Sequence, residues 1–131
     1  MSDKGDFKLL TRTFLWAVSI LCVLPEPGAR TMQSGKIAHA VDATPRYLEP
    51  LIQHMSSREM IISKRGPAGG YTLGRPADEI SLEWVWEMVL GFRADFDGDH
   101  TPPLSAPLQR IIDHWRSVLV GLTISDLKVD T

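Results

Sequence analysis

Apolar residues recur at helical spacing from the start of the chain. Between residues 9 and 24, Leu10, Phe14, Ala17, Val18 and Leu21 fall on one helical face. Pro25, Pro27 and Gly28 end that first helix. A second helix is predicted from Ser34, a good capping residue, to about residue 41. Asp42 then stands where a tight turn needs a residue that tolerates the left-handed conformation. Thr44 is a candidate cap, and Pro45 suits the first position of a third helix reaching about residue 57, with Leu48, Leu51, Ile52 and Met55 inward. Pro50 falls inside that helix, removes one ladder hydrogen bond and predicts a local distortion. Residues 60–64 and 71–74 are β-rich runs joined by Arg-Gly-Pro-Ala-Gly-Gly, the signature of a hairpin. A fourth helix over 82–90 has Ser81 as its cap, residues 92–103 are polar and turn-rich and are read as a loop, and a long last helix spans 104–122. Leu108, Ile111, Ile112, Trp115, Leu119 and Leu122 line one side of it, and Thr123 can cap a short turn over 124–127. The expected fold is mainly α with a small β-hairpin.

Length and charge sharpen this picture. The 131 residues suffice for one compact domain, within which 8–80 and 81–131 are read as two functional halves. The net charge of −2 hides a division. Residues 30–75 carry seven Lys/Arg against three Asp/Glu, a net +4, whereas 76–131 carry four against ten, a net −6. A basic middle and an acidic C-terminal third are worth following for a polyanionic partner. The single cysteine, Cys22, rules out an intrachain disulfide and suggests a reducing, cytoplasmic setting. Lys8 and Arg12 ahead of the apolar run 14–24 resemble a secretory leader, but Asp3 and Asp6 spoil the basic start and the run is too short to span a membrane. A buried helix is the reading favoured.

Helix, tight turn, helix and Gly-rich hairpin is the layout of a winged helix-turn-helix. A helix that enters the major groove of DNA must project from its neighbours, with its N-terminal residues near base edges. Thr44, Pro45, Arg46, Tyr47, Glu49 and Gln53 occupy that end of the third helix and offer groups that read bases or hold backbone. The hairpin adds Lys64, Arg65, Gly66, Gly69, Gly70 and Tyr71, its small residues allowing close approach to a groove. Ser34 and Lys36 open the second helix and can touch phosphate.

Residues 37–75 resemble the Rrf-two family, the IscR, NsrR and CymR group of bacterial regulators. The wing motif Arg-Gly-Pro-x-Gly-Gly-Tyr at 65–71 is the most specific element; Ala-Asp-Glu-Ile-Ser-Leu at 77–82, Leu-Thr-Ile-Ser-Asp-Leu at 122–127, Leu-Leu-Thr at 9–11 and Trp-Ala-Val at 16–18 also fit. The resemblance implies a homodimer whose long C-terminal helices cross, built from Leu108, Ile111, Ile112, Trp115, Leu119 and Leu122, with two recognition helices on a pseudo-palindromic double-stranded DNA operator. By position, Tyr47 and Glu49 match the family's recognition helix and Arg65 its wing arginine. Pro50 stands where relatives often carry a polar base-contacting residue. Many relatives hold an iron–sulfur cluster through three cysteines in the loop before the long helix, but residues 92–103 contain none, with Pro103 and Ala106 at positions where ligands would be expected. No cofactor is therefore expected, because such clusters need thiolates.

Other candidates weigh less. Cys22 reads as a small buried hydrophobe rather than a redox sensor. Trp16 and Cys22 together mark a possible pocket for an unidentified small-molecule effector. Asp95, Asp97, Asp99 and His100 lack calcium-loop spacing and read as a solvated acidic loop. His39 and His114 have no partner at ligand spacing, whereas His54 could touch phosphate. Trp84, Trp86 and Trp115 are core or dimer contacts. The glycines at 66–70 lack a P-loop lysine and precede a strand, and no spacing singles out a nucleophile with a base, so an enzyme is not expected. The rivals to a DNA-binding regulator acting as a repressor are a non-DNA-binding interaction module on the same fold and a small-molecule or metal sensor.

Overall fold

A computed structural model describes residues 3–43, 45–67, 69–97 and 106–128. The first helix, α1 (Asp3–Val23), is followed by α2 (Ser34–Ala40) and α3 (Pro45–Ser57). Strands β1 (Ile61–Lys64) and β2 (Gly70–Leu73) pair antiparallel, Ile61 opposite Leu73 and Lys64 opposite Gly70. A single 3-10 turn over Ala77–Glu79 leads to α4 (Leu82–Asp97), and α5 (Ala106–Leu119) and α6 (Ile124–Leu127) complete the described chain.

The helical stripes do what their spacing predicts. Leu48, Leu51, Ile52 and Met55 of α3 are buried, as are Phe14, Ala17 and Leu21 of α1. They join one hydrophobic cluster that runs from Phe14 to Ile124 and takes in Leu82, Val85, Trp86 and Val89 of α4. The core therefore crosses the expected division at 80/81, with α1 packed along α4. At its centre three aromatic rings meet edge to face. Phe14 lies 5.4 Å from Trp86 and 5.8 Å from Trp115, and the two indoles are 6.1 Å apart.

Several boundaries differ from the sequence reading. Gln33, with φ −74° and ψ 153°, is the N-cap of α2, so Ser34 is its first helical residue and not its cap. The helix over 82–90 continues to Asp97, into the segment read as a loop. No proline interrupts 92–97, so the sequence there permits the helix to continue. Residues 98–103 lie outside the described residues. The last helix stops at Leu119, so Leu122 belongs to the turn after it, where its carbonyl accepts the Leu82 N–H at 2.9 Å. Asp42 adopts φ 57°, the left-handed turn expected of it. Ser81 caps α4, its Oγ accepting the Trp84 N–H at 3.0 Å, and the Asp126 carboxylate accepts the Thr123 N–H at 2.9 Å in front of α6.

Two long-range ties complete the fold. Ser81 and Thr123 form an isolated β-bridge, which seats the C-terminal segment against the entrance to α4. The Lys128 ammonium donates to the Leu24 carbonyl at 3.0 Å and pairs with Glu26 at 3.2 Å, while the other oxygen of Glu26 accepts the Ala77 N–H at 3.1 Å.

Candidate nucleic-acid interface

The outward face of α3 is built by spacing alone. Arg46, Glu49, Pro50 and Gln53 stand at i, i+3, i+4 and i+7, and all four are exposed. The helix runs unbroken through Pro50, which removes the donor that the Arg46 carbonyl would otherwise receive. That loss falls on the exposed face, where solvent can replace the bond. Thr44 lies outside the described residues, as do the side chains of Pro45 and Tyr47. Further along α3, His54 is half-buried with its ring 5.3 Å from Phe92.

The wing carries its cations at the tip. Lys64 and Arg65 are exposed, and Tyr71 is half-buried against the core. Its close turns explain the glycines of the motif. A Cβ on Gly69 would collide with the Lys64 carbonyl, and one on Gly70 would lie 2.7 Å from the Met32 carbonyl oxygen. Met32 is there because it forms a β-bridge to Tyr71, with reciprocal N–H···O bonds of 2.9 Å. The hairpin thus gains a third, one-residue member that sequence reasoning missed, since one paired residue leaves no periodic signal. Lys36 at the start of α2 is exposed and Ser34 half-buried. Among the described residues, Arg46, Lys64 and Arg65 make no salt bridge with an acidic side chain.

The residues expected to form a dimer surface divide. Leu119 is 3% exposed and belongs to the chain's own core, and Trp115, half-buried, packs on Phe14 and Trp86 of the same chain. The side chains of Leu108, Ile111 and Ile112 lie outside the described residues. Leu122 is exposed, together with Leu15, Val118 and Val120, each of the last three more than half exposed.

Trp16 and Cys22, the two residues read as marking an effector pocket, stand on different sides of α1. The two residues are six positions apart, about 120° around α1, and both are half-buried against the core. Burial pushes the Cys22 thiol above its ordinary pKa, partly offset by the nearby Lys128 ammonium. A thiol so placed is a poor source of thiolate. Among the described residues no three His, Cys, Asp or Glu side chains gather at ligand distance. With one cysteine per chain, the donor set does not fit a cluster held by three thiolates. No helix among the described residues is long and apolar enough to cross a membrane.

Comparison with known proteins sets this arrangement in context. The family model Rrf2, described as an iron-dependent transcriptional regulator, matches residues 10–129. The Mycobacterium tuberculosis (strain H37Rv) protein Rv1287 is 29% identical over 122 residues, 86% of this chain and 76% of that one. The HTH-type transcriptional regulator IscR of Cereibacter sphaeroides is 27% identical over 89 residues, 68% of this chain and 54% of its own. Among solved structures, the oxidized form of Staphylococcus aureus CymR superposes with a TM-score of 0.68 at 29% identity, covering 91% of this chain and 96% of that one.

Proposed function

The chain belongs to the Rrf2 family of transcriptional regulators, and from that premise we propose that it is a sequence-specific repressor that binds a double-stranded DNA operator as a homodimer. The observation that carries the reading is the exposed stripe Arg46, Glu49, Pro50 and Gln53 on α3, accompanied by the exposed cations Lys64 and Arg65 at the wing tip. Arg46 and Gln53 supply donors suited to purine edges, Glu49 an acceptor for a cytosine amine, and the Pro50 ring an apolar contact suited to a thymine methyl. The wing cations Lys64 and Arg65 neutralise backbone phosphate or enter the minor groove.

Arg65→Ala tests the wing. The side chain is exposed and without an ion pair among the described residues, so folding should be unaffected. Operator affinity should fall about tenfold or more, the loss of roughly 1–3 kcal/mol expected of a good arginine contact. Unchanged affinity in a gel-shift titration at physiological salt removes Arg65 from the interface.

Dimerisation is assigned to exposed apolar residues, with Leu15 of α1 and Val118, Val120 and Leu122 at and just beyond the end of α5 as the candidates, since large apolar groups left in solvent are the kind that partner surfaces cover. The family's cluster is not retained, for want of thiolates. The purified protein should therefore sediment at twice its 14.6 kDa chain mass and be colourless. A monomer at micromolar concentration overturns the dimer; a brown anaerobic preparation with stoichiometric iron and sulfide overturns the loss of the cluster.

A further inference from the structure

The Met32–Tyr71 bridge does more than widen the hairpin. It holds residues 30–33 against the side of β2 that faces away from β1, and the absent side chain of Gly70 is what lets the two backbones meet. Between this segment, the start of α2 and the wing lies an open crevice of about 550 Å³, lined by Arg30, Thr31, Gln33, Lys36, Lys64 and Gly69 among others. A second crevice of about 580 Å³ shares Gln33 and Lys64 and continues to Arg65.

The chemistry of this trough is one-sided. Among the described residues its lining includes cations, hydroxyl and amide groups and glycines, and no Asp or Glu. Arg30, Lys36 and Lys64 are exposed, and among the described residues none of them is paired with an acidic side chain. Like charges brought to one crevice repel, and a bound anion relieves that repulsion. Among the described residues the first crevice has no aromatic side chain on which a base could stack. Oxyanions are the groups it suits.

We propose that Arg30, Lys36 and Lys64 form a clamp for backbone phosphate of duplex DNA, separate from the base-reading stripe on α3. Arg30 is the residue that local sequence gives no reason to single out, because only the bridge at Met32 brings it beside the wing. The clamp rests on the DNA-binding reading above. It positions the protein on the duplex and carries no sequence information.

Salt dependence distinguishes this from a structural role. Each phosphate contact releases condensed counterion, so the slope of log affinity against log salt changes by about 0.9 per contact. For Arg30→Gln the slope measured between roughly 50 and 200 mM salt should become shallower by about 0.9, and for the Arg30→Gln/Lys36→Gln double variant by about 1.8. Affinity for operator and for random duplex should fall by the same factor. If the parent binds duplex and both variants keep its slope, the clamp is wrong while the regulator reading stands. A parent that retains no duplex at any salt overturns both. Inorganic phosphate is titrated in parallel, followed by NMR at constant ionic strength. Saturable phosphate binding lost in Arg30→Gln, with an unchanged DNA slope, would assign the crevice to a free anion and overturn the clamp. Circular dichroism of the variants should match the parent.

Discussion

Trp86→Ala is expected to lower the free energy of unfolding by about 3–5 kcal/mol, the range for truncating a buried large aromatic residue. Trp86 is 0% exposed and stands edge to face with both Phe14 and Trp115, so it joins α1, α4 and α5 at one point. Its loss removes apolar burial, opens a cavity and takes away two aromatic contacts each contributing about 0.5–1.5 kcal/mol beyond area. Domains of this kind are stable by roughly 5–15 kcal/mol, so the variant should sit close to unfolding. Urea titration measures it: the midpoint should fall sharply with the slope unchanged. Trp84 is the comparison. It is half-buried with the Arg75 guanidinium 5.4 Å from its ring centroid, and its truncation should cost far less. A loss below about 1 kcal/mol for Trp86→Ala would mean that the aromatic trio does not hold these helices together.

The second large effect is at Gly70. Gly70→Ala places a methyl group 2.7 Å from the Met32 carbonyl oxygen, and the obstacle is backbone, which cannot swing aside as a side chain can. The bridge to Tyr71 must open or the wing must shift, at a cost of about 1–3 kcal/mol in stability. Duplex affinity should suffer more than stability. The wing tip and the crevice at the start of α2 share this hinge line, and losing contacts together worth roughly 3 kcal/mol corresponds to a decrease on the order of a hundredfold. Gly35→Ala is the control, since nothing lies within 4 Å of the added methyl, and it should fold as well as the parent. If Gly70→Ala binds duplex like the parent, the bridge plays no part in presenting the wing.

These two sites differ in how far the sequence alone reveals them. The α3 helix was legible to the residue, Pro45–Ser57, because a proline at its first turn and a clean apolar stripe are local signals. The turn at Asp42 and the hairpin were legible for the same reason. The Met32–Tyr71 bridge was not, because a single long-range residue pair has no period. Nor was the inward orientation of Trp115 and Leu119. An amphipathic stripe reports that one face is apolar, not whether the surface it meets belongs to the same chain or to a second copy. The extension of α4 to Asp97 was hidden by composition, since polar residues with no proline among them fit a helix as well as a loop. Gln33 displaced Ser34 as cap although its side chain makes no capping hydrogen bond, and it directly follows the bridged Met32 in the chain.

The hairpin also has an open side. β2 is flanked by β1 on one edge and by Met32 on the other, but among the described residues no strand pairs with the outer edge of β1. Ile62 on that strand is half exposed, a combination that invites two wings from separate molecules to zip together. Lys64 ends β1 and Arg65 follows it, so two approaching edges would bring like charges face to face. The cations that suit this surface to a polyanion thereby also act as gatekeepers against edge-to-edge pairing of two wings.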